Sequence, residues 1–436
     1  MKKYYAILVL GILFSTKIFS QSNEKLLSDF LNDTTVRTGM AGVCLYEPAT
    51  GTYLITHNDD KNFTPASNMK LFSLYAGMKY LGDSLVGLKY KKEKNSITIY
   101  PTGDPSFLHP DFKNQPVFDF LKNQNNIQYS TQQYCKYLGD GWVWNDYIDD
   151  YMAPRSEMPI YGNLITINQT SKGFKVIPKF VKVKPLGYKN QFTNNKDYPL
   201  YKNFDTNELF INATEKNKVT EITPIPLTVR HSEIPFYLED TLHKKITVAK
   251  DNKTLVKNVD SIQSIYSQSA DTLYKIMMSR SDNFFAEQTL LMASNELLGY
   301  MSDEKMIDTI LKTDLKNIPT KPRWVDGSGL SRYNLISPKD FVFLLDKMKN
   351  EFGMERMTKI LLTGNHGTLT NYYIKEQGFI YAKTGTVSGV VALSGYLYTK
   401  TNKLLVFSVL INNFMGTPRS ARRAIEKFLI TVRALN

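Results

Sequence analysis

The run "TPASNMKLFSLYAGMKYLG", residues 64–82, sets a problem of charge. Thr64 is a good helix N-cap, Pro65 suits a first turn and Gly82 a stop, so the spacing predicts a helix from Pro65 to about Leu81. Met69, Leu71, Phe72, Leu74, Tyr75, Ala76, Met78, Tyr80 and Leu81 leave no polar face of useful width, the mark of a core helix. Lys70 lies inside it. A buried ammonium is costly unless it is paired or gives up its proton, so Lys70 either snorkels outward or does chemistry.

Ser67 stands three residues before Lys70, on the same helical face. A serine hydroxyl is a poor nucleophile until a base takes its proton, and a desolvated, neutral lysine is such a base. The spacing alone says little, since Ser22 with Lys25 and Ser302 with Lys305 share it. What singles out Ser67 is its company. "SDN" (281–283) is the chain's one Ser-x-Asn and falls in a break between two helical runs; "KTG" (383–385) also occurs once, on a predicted strand. Order excludes Ser302, which follows "SDN"; Ser22 and Ser67 both precede the two motifs in the order Ser-x-x-Lys, Ser-x-Asn, Lys-Thr-Gly, and of these only Ser67 stands in the apolar helix. Ser281 can relay a proton between Lys70 and a leaving amine, and the Asn283 amide can hold a peptide amide. A strand carrying "KTGT" can lie antiparallel to an extended peptide, with the Lys383 charge and the Thr384 and Thr386 hydroxyls toward a terminal carboxylate. Gly385 keeps that approach close, and Lys383 beside Lys70 pushes Lys70 toward its neutral form.

Outward from these motifs the fold class reads as α+β. Residues 23–33 suggest a short helix, and "MAGVCLYE" and "GTYLITHN" a hairpin turned by "PATG". "FIYAKTGT", "GVVALSGYLYT" and "KLLVFSVLINNF" are three more strands, so segments near both chain ends build one antiparallel sheet of about five, flanked by helices. A last helix from Thr417-Pro418 carries the stripe Ala421, Ala424, Ile425, Phe428, Leu429 and Val432. That stripe fits the sheet face better than its alternative, a membrane surface. "ADTLYKIMMSRSDNFFAEQTLLMASNELL" is a helix pair broken at "SRSDN". Short strands fill the middle, giving segments 21–85 and 262–436 of one domain around a mainly β insertion, 86–261.

The chain has 436 residues and a formal charge of +13. Lys2 and Lys3, the apolar run after them and Ser20 make residues 1–20 a secretory signal peptide, implying export to the periplasm. Its loss removes Lys2, Lys3 and Lys17, taking +13 to +10. Such an excess favours an anionic wall polymer or membrane surface as a peripheral partner; the basic residues are too scattered for a nucleic-acid site. Cys44 and Cys135 are either one bridge or two buried thiols, and the five dispersed histidines suggest no metal centre. "GWVWNDYIDDY" (141–151), with Trp142, Trp144, Tyr147 and Tyr151, reads as an interdomain seam before a sugar platform. His366 with Asp326 and Ser328 lacks the elbow of a Ser-His-Asp hydrolase.

With "DGSGLSRYNLISP" (326–338), "GNHGTL" (364–369), "TGDPSF" (102–107) and "AKTGTVSGVVALSGY" (382–396), the three motifs resemble one family over most of the chain. It is the serine D-alanyl-D-alanine carboxypeptidase/endopeptidases of the low-molecular-weight class C penicillin-binding proteins. The resemblance implies a β-lactamase-like transpeptidase domain with an insertion, here somewhat short. It implies Ser67 as nucleophile toward the penultimate D-alanine of peptidoglycan peptides, Lys70 as base, and Ser281 and Asn283 along the proton path and substrate channel. Lys383, Thr384 and Thr386 would bind the carboxylate; the Ser67 and Thr386 amides would form the oxyanion hole. Water would release the acyl group, β-lactams would trap it, and neither metal nor organic cofactor is required. The runners-up are a β-lactamase or esterase on the same scaffold and a catalytically silent wall-binding protein. Loss of Ser67, Lys70 or Lys383 would mark the last, and all three are present.

Overall fold

The hairpin read near the N-terminus forms as Met40–Glu47 and Thr52–His57, turned by Gly51 at φ +70°. In the computed structural model, which describes residues 22–131, 135–170, 173–185, 200–211, 222–249 and 261–436, Met40–Glu47 does not end a sheet but sits inside one. Its other neighbour is Leu404–Asn412, with Met40 opposite Asn412. The order continues through Val390–Tyr398 and Ile380–Val387 to a two-residue edge, Leu362–Thr363, all antiparallel. The sheet has six strands rather than about five, because that last pair is too short to show a period in sequence. The signal peptide read at 1–20 lies outside the described residues, as do parts of the strand runs 174–188, 208–215 and 244–252.

Two compact units make up the chain. The first holds the chain up to Tyr75, Tyr274–Ser281 and Ile307–Asn436. Its central strands are buried almost throughout because helices cover both faces. Val391, Leu393, Leu397, Leu405, Phe407, Val409 and Ile411 alternate onto one face, where the helix over residues 22–31 and the terminal helix Pro418–Leu435 cover them. The stripe read from sequence is the buried face of that last helix, and Phe428 meets Phe30 at 4.8 Å between ring centroids. Pro338–Phe352 covers the other face, its Leu345 carbonyl accepting from Tyr396 Oη at 2.7 Å.

The second unit spans Ala76–Leu273 and Asp282–Met306. A five-stranded mixed sheet runs Ile246–Val248, Ile127–Tyr129, Ile97–Tyr100, Ser84–Lys92, Ile262–Ser269, beside two three-stranded sheets and the helices Pro116–Lys122 and Ile234–Leu242. Its own core gathers residues such as Leu88, Ile99, Leu121, Ile165, Leu209 and Leu238. A buried Arg155 guanidinium binds Glu287 at 2.6 Å and Asp303 at 2.7 Å. Trp142, Trp144, Tyr147 and a buried Lys202 line a cavity of this unit, with Trp144 77% exposed. Cys44 and Cys135 are buried free thiols, one in each unit. Among the described residues no helix is long and apolar enough to cross a membrane, and no cluster of acidic, histidine and cysteine side chains could hold a metal ion.

Candidate active site

The helix expected to start at Pro65 begins differently. Ala66–Met69 is a 3₁₀ turn and the α-helix proper runs Lys70–Tyr80; Pro65 occupies the cap without a side-chain bond, so Thr64 does not cap it. Ala66 has φ +47°, a left-handed conformation that costs a non-glycine residue energy. Two glycines show what holds it there. A Cβ on Gly329, itself at φ +86°, would fall 1.9 Å from the Ala66 carbonyl oxygen, and one on Gly385 would fall 2.6 Å from that of Pro65. Backbone presses on backbone from two sides, and only glycine leaves room.

That turn places Ser67 Oγ 2.9 Å from Lys70 Nζ. Lys70 is fully buried and also donates to the Ser328 carbonyl at 2.8 Å. The loop supplying that carbonyl is tied down by Asp326, whose carboxylate accepts from the Gly329 and Ser331 amides at 2.9 and 2.7 Å and from Asn334 Nδ2 at 2.7 Å. Nothing in "DGSGLS" as a sequence marks it for this place beside Lys70, because the group it supplies is a backbone carbonyl. Lys383, also fully buried, donates to Ser281 Oγ and to the Thr384 carbonyl, both at 2.8 Å. Burial first, then the charges of Lys70 and Arg422, hold its ammonium well below the usual lysine range. Ser281 has φ +62°, a turn between the helices Ala270–Ser279 and Asn283–Leu298. Capping of the second falls to Asp282, which accepts from the Phe285 amide at 2.8 Å, so "SDN" is both a cap and a carrier of Ser281.

The first unit therefore brings together Ser67, Lys70, Ser281, Lys383, Thr384, Gly385 and Thr386. Asn283 opens a helix of the second unit, its amide donating to the Tyr151 carbonyl at 3.0 Å. Strand alternation does not turn Lys383, Thr384 and Thr386 to one side. Lys383 and Gly385 share the face toward Ser281 and the Pro65–Asn68 turn. Thr384, 5% exposed, bonds Thr368 Oγ1 at 2.7 Å, and Thr386 accepts from Arg422 Nη2 at 2.7 Å. Gly385 is required by the chain's own turn, a demand separate from the peptide approach expected of it. Beyond Tyr381 and Ala382, which pair with Leu362–Thr363, the outer edge from Lys383 to Val387 has no strand partner among the described residues. His366 Nδ1 lies 2.9 Å from the Gly364 carbonyl, two residues before it in the chain.

The fold is that of a penicillin-binding protein: the crystal structure of penicillin binding protein 4 (dacB) from Haemophilus influenzae is similar at a TM-score of 0.71 and 18% identity, over 93% of this chain and 98% of that one. Carboxypeptidase DacB of Mycolicibacterium smegmatis is 28% identical over 37% of this chain and 38% of its own length, so that match spans under two thirds of it. Penicillin-sensitive carboxypeptidase A of Dictyostelium discoideum is 22% identical over 85% of this chain and 82% of its own. The chain belongs to the D-Ala-D-Ala carboxypeptidase 3 (S13) family, whose model matches residues 23–432. The family and the serine-type D-Ala-D-Ala carboxypeptidase class expected from sequence both hold.

Proposed function

We propose that the protein acts outside the cytoplasm, in the periplasm, and hydrolyses D-Ala-D-Ala ends and D,D cross-links of peptidoglycan peptides through an acyl-enzyme on Ser67. The observation that carries this reading is the 2.9 Å contact between Ser67 Oγ and the buried Lys70 Nζ. Lys70 takes the hydroxyl proton as Ser67 attacks the carbonyl of the penultimate D-alanine. The amides of Ser67 and Thr386 face the developing oxyanion. Ser281, held by Lys383, passes a proton to the departing amine, and water then cleaves the ester along the same path. The unpaired edge from Lys383 to Val387 supports binding of the peptide as an added strand. Asn283, two residues beyond Ser281, is assigned to a substrate amide.

A β-lactam carbonyl fits the same steps, with a ring amine that does not depart, so benzylpenicillin should trap the acyl-enzyme. Support comes from the Haemophilus protein, which has been crystallised in complex with a β-lactam. Intact mass spectrometry after brief incubation with benzylpenicillin tests the reading: one adduct on the wild type and none on Ser67→Ala is the expected outcome. An adduct that survives Ser67→Ala would remove Ser67 from its role. Rapid release of penicilloate instead of a stable adduct would favour the β-lactamase reading, and neither adduct nor product the silent one.

A further inference from the structure

We infer that Arg422 supplies the fixed positive charge for the terminal carboxylate of the substrate, acting through and beside the Thr386 hydroxyl; the inference rests on the function proposed above. A peptide ending in D-Ala-D-Ala carries a carboxylate one residue beyond the bond to be cut, and the chain must meet it with a cation. Lys383 is a poor candidate. It is fully buried, two of its donors are taken by Ser281 and the Thr384 carbonyl, and burial above all, with Arg422 nearby, disfavours its charge. A guanidinium stays charged in such a setting and offers a planar fork matched to a carboxylate.

Arg422 is the guanidinium in place. It comes from the second turn of the terminal helix, next to Ala421 in the buried stripe, and its Nη2 donates to Thr386 Oγ1 at 2.7 Å. Its carbon sits 6.0 Å from the Tyr372 ring, its Nε is buried without a hydrogen-bond partner, and among the described residues no carboxylate pairs with it. Its neighbours differ: Arg423 is paired with Glu426, and Arg433 stacks on Phe379 at 4.1 Å. The bond also sets the hydroxyl. Because Thr386 Oγ1 accepts from Arg422, its own proton is free to point away, toward an acceptor on the substrate. Thr386 is only half-buried, unlike Thr384, so of the two it is the one a peptide can reach.

The test compares an acyl-D-Ala-D-Ala peptide with the same peptide amidated at its C-terminus, in the wild type, Arg422→Gln and Arg422→Lys. Wild type should prefer the free carboxylate. Arg422→Gln should lower kcat/KM for that peptide about 10- to 100-fold, mainly through KM, and leave the amide within about twofold, while Arg422→Lys recovers part of the preference. If the amide is cleaved too slowly, acylation rates with benzylpenicillin and its methyl ester give the same comparison. An equal loss on both members of either pair, or no loss on the carboxylate, overturns the inference. A wild type that neither cleaves the free peptide nor reacts with benzylpenicillin overturns the proposed function first, and the two failures are told apart by that control.

Discussion

Lys383 carries a penalty that the fold leaves in place. The folded protein holds its ammonium below the ordinary lysine value of 10.5, so between the two values the unfolded chain binds the extra proton and stability rises with pH across that window. Lys383→Met removes the ionisation. At neutral pH we expect it to melt above the wild type, with the difference shrinking as pH climbs toward 10.5, while acylation of Ser67 by benzylpenicillin slows by about 100-fold or more. Melting curves at several pH values check the sign; a lower Tm at neutral pH would show that the bonds to Ser281 and Thr384 outweigh burial. At this scale Lys70 was legible in the sequence because a charge inside an apolar helix contradicts its surroundings. Arg422 was not, since a basic residue on an amphipathic helix looks like any solvated charge. Its meaning comes only from a neighbour 36 residues away, Thr386.

The 3₁₀ start at Ala66–Met69 shows what element boundaries depend on. "TP" followed by a helical run reads as an α-helix start, and nothing local argues otherwise; the tighter turn follows from the approach of Gly329 and Gly385, distant in sequence. The strands beyond Ile380 were legible because apolar runs and a turn punctuate them, whereas Leu362–Thr363 shows no period at all. Gly329→Ala should lower stability by about 3 kcal/mol or more and slow acylation, because a methyl cannot occupy a point 1.9 Å from a carbonyl oxygen without moving Ala66 and so Ser67. Gly299→Ala is the control. It is a left-handed helix cap at φ +82° and ψ 6° with nothing within 4 Å, so only the backbone cost of about 1 kcal/mol remains. Urea denaturation with an acylation assay separates the two; equal costs would sink the argument from close approach.

Over the whole molecule, pattern alone suggests an interrupted domain, whereas the six-stranded order and the second unit's buried ion cluster need contacts across long separations. In that cluster Arg155→Ala should cost about 3–5 kcal/mol by leaving Glu287 buried, and Asp303 partly so, without their cation. Hydrogen exchange should show the loss of protection concentrated in 76–273 and 282–306; an even loss over the chain, or none, would count against it. The position of Met40–Glu47 inside the sheet has a consequence for synthesis. A ribosome delivers this strand roughly 350 residues before Leu404–Asn412, the partner on its far side. Through that interval an apolar hairpin waits with one bare edge, a template for wrong pairings that a holding chaperone must shield. The last strand and helix thus act as a clasp: a chain stopped before Leu404 has every motif and still cannot close the sheet that carries them.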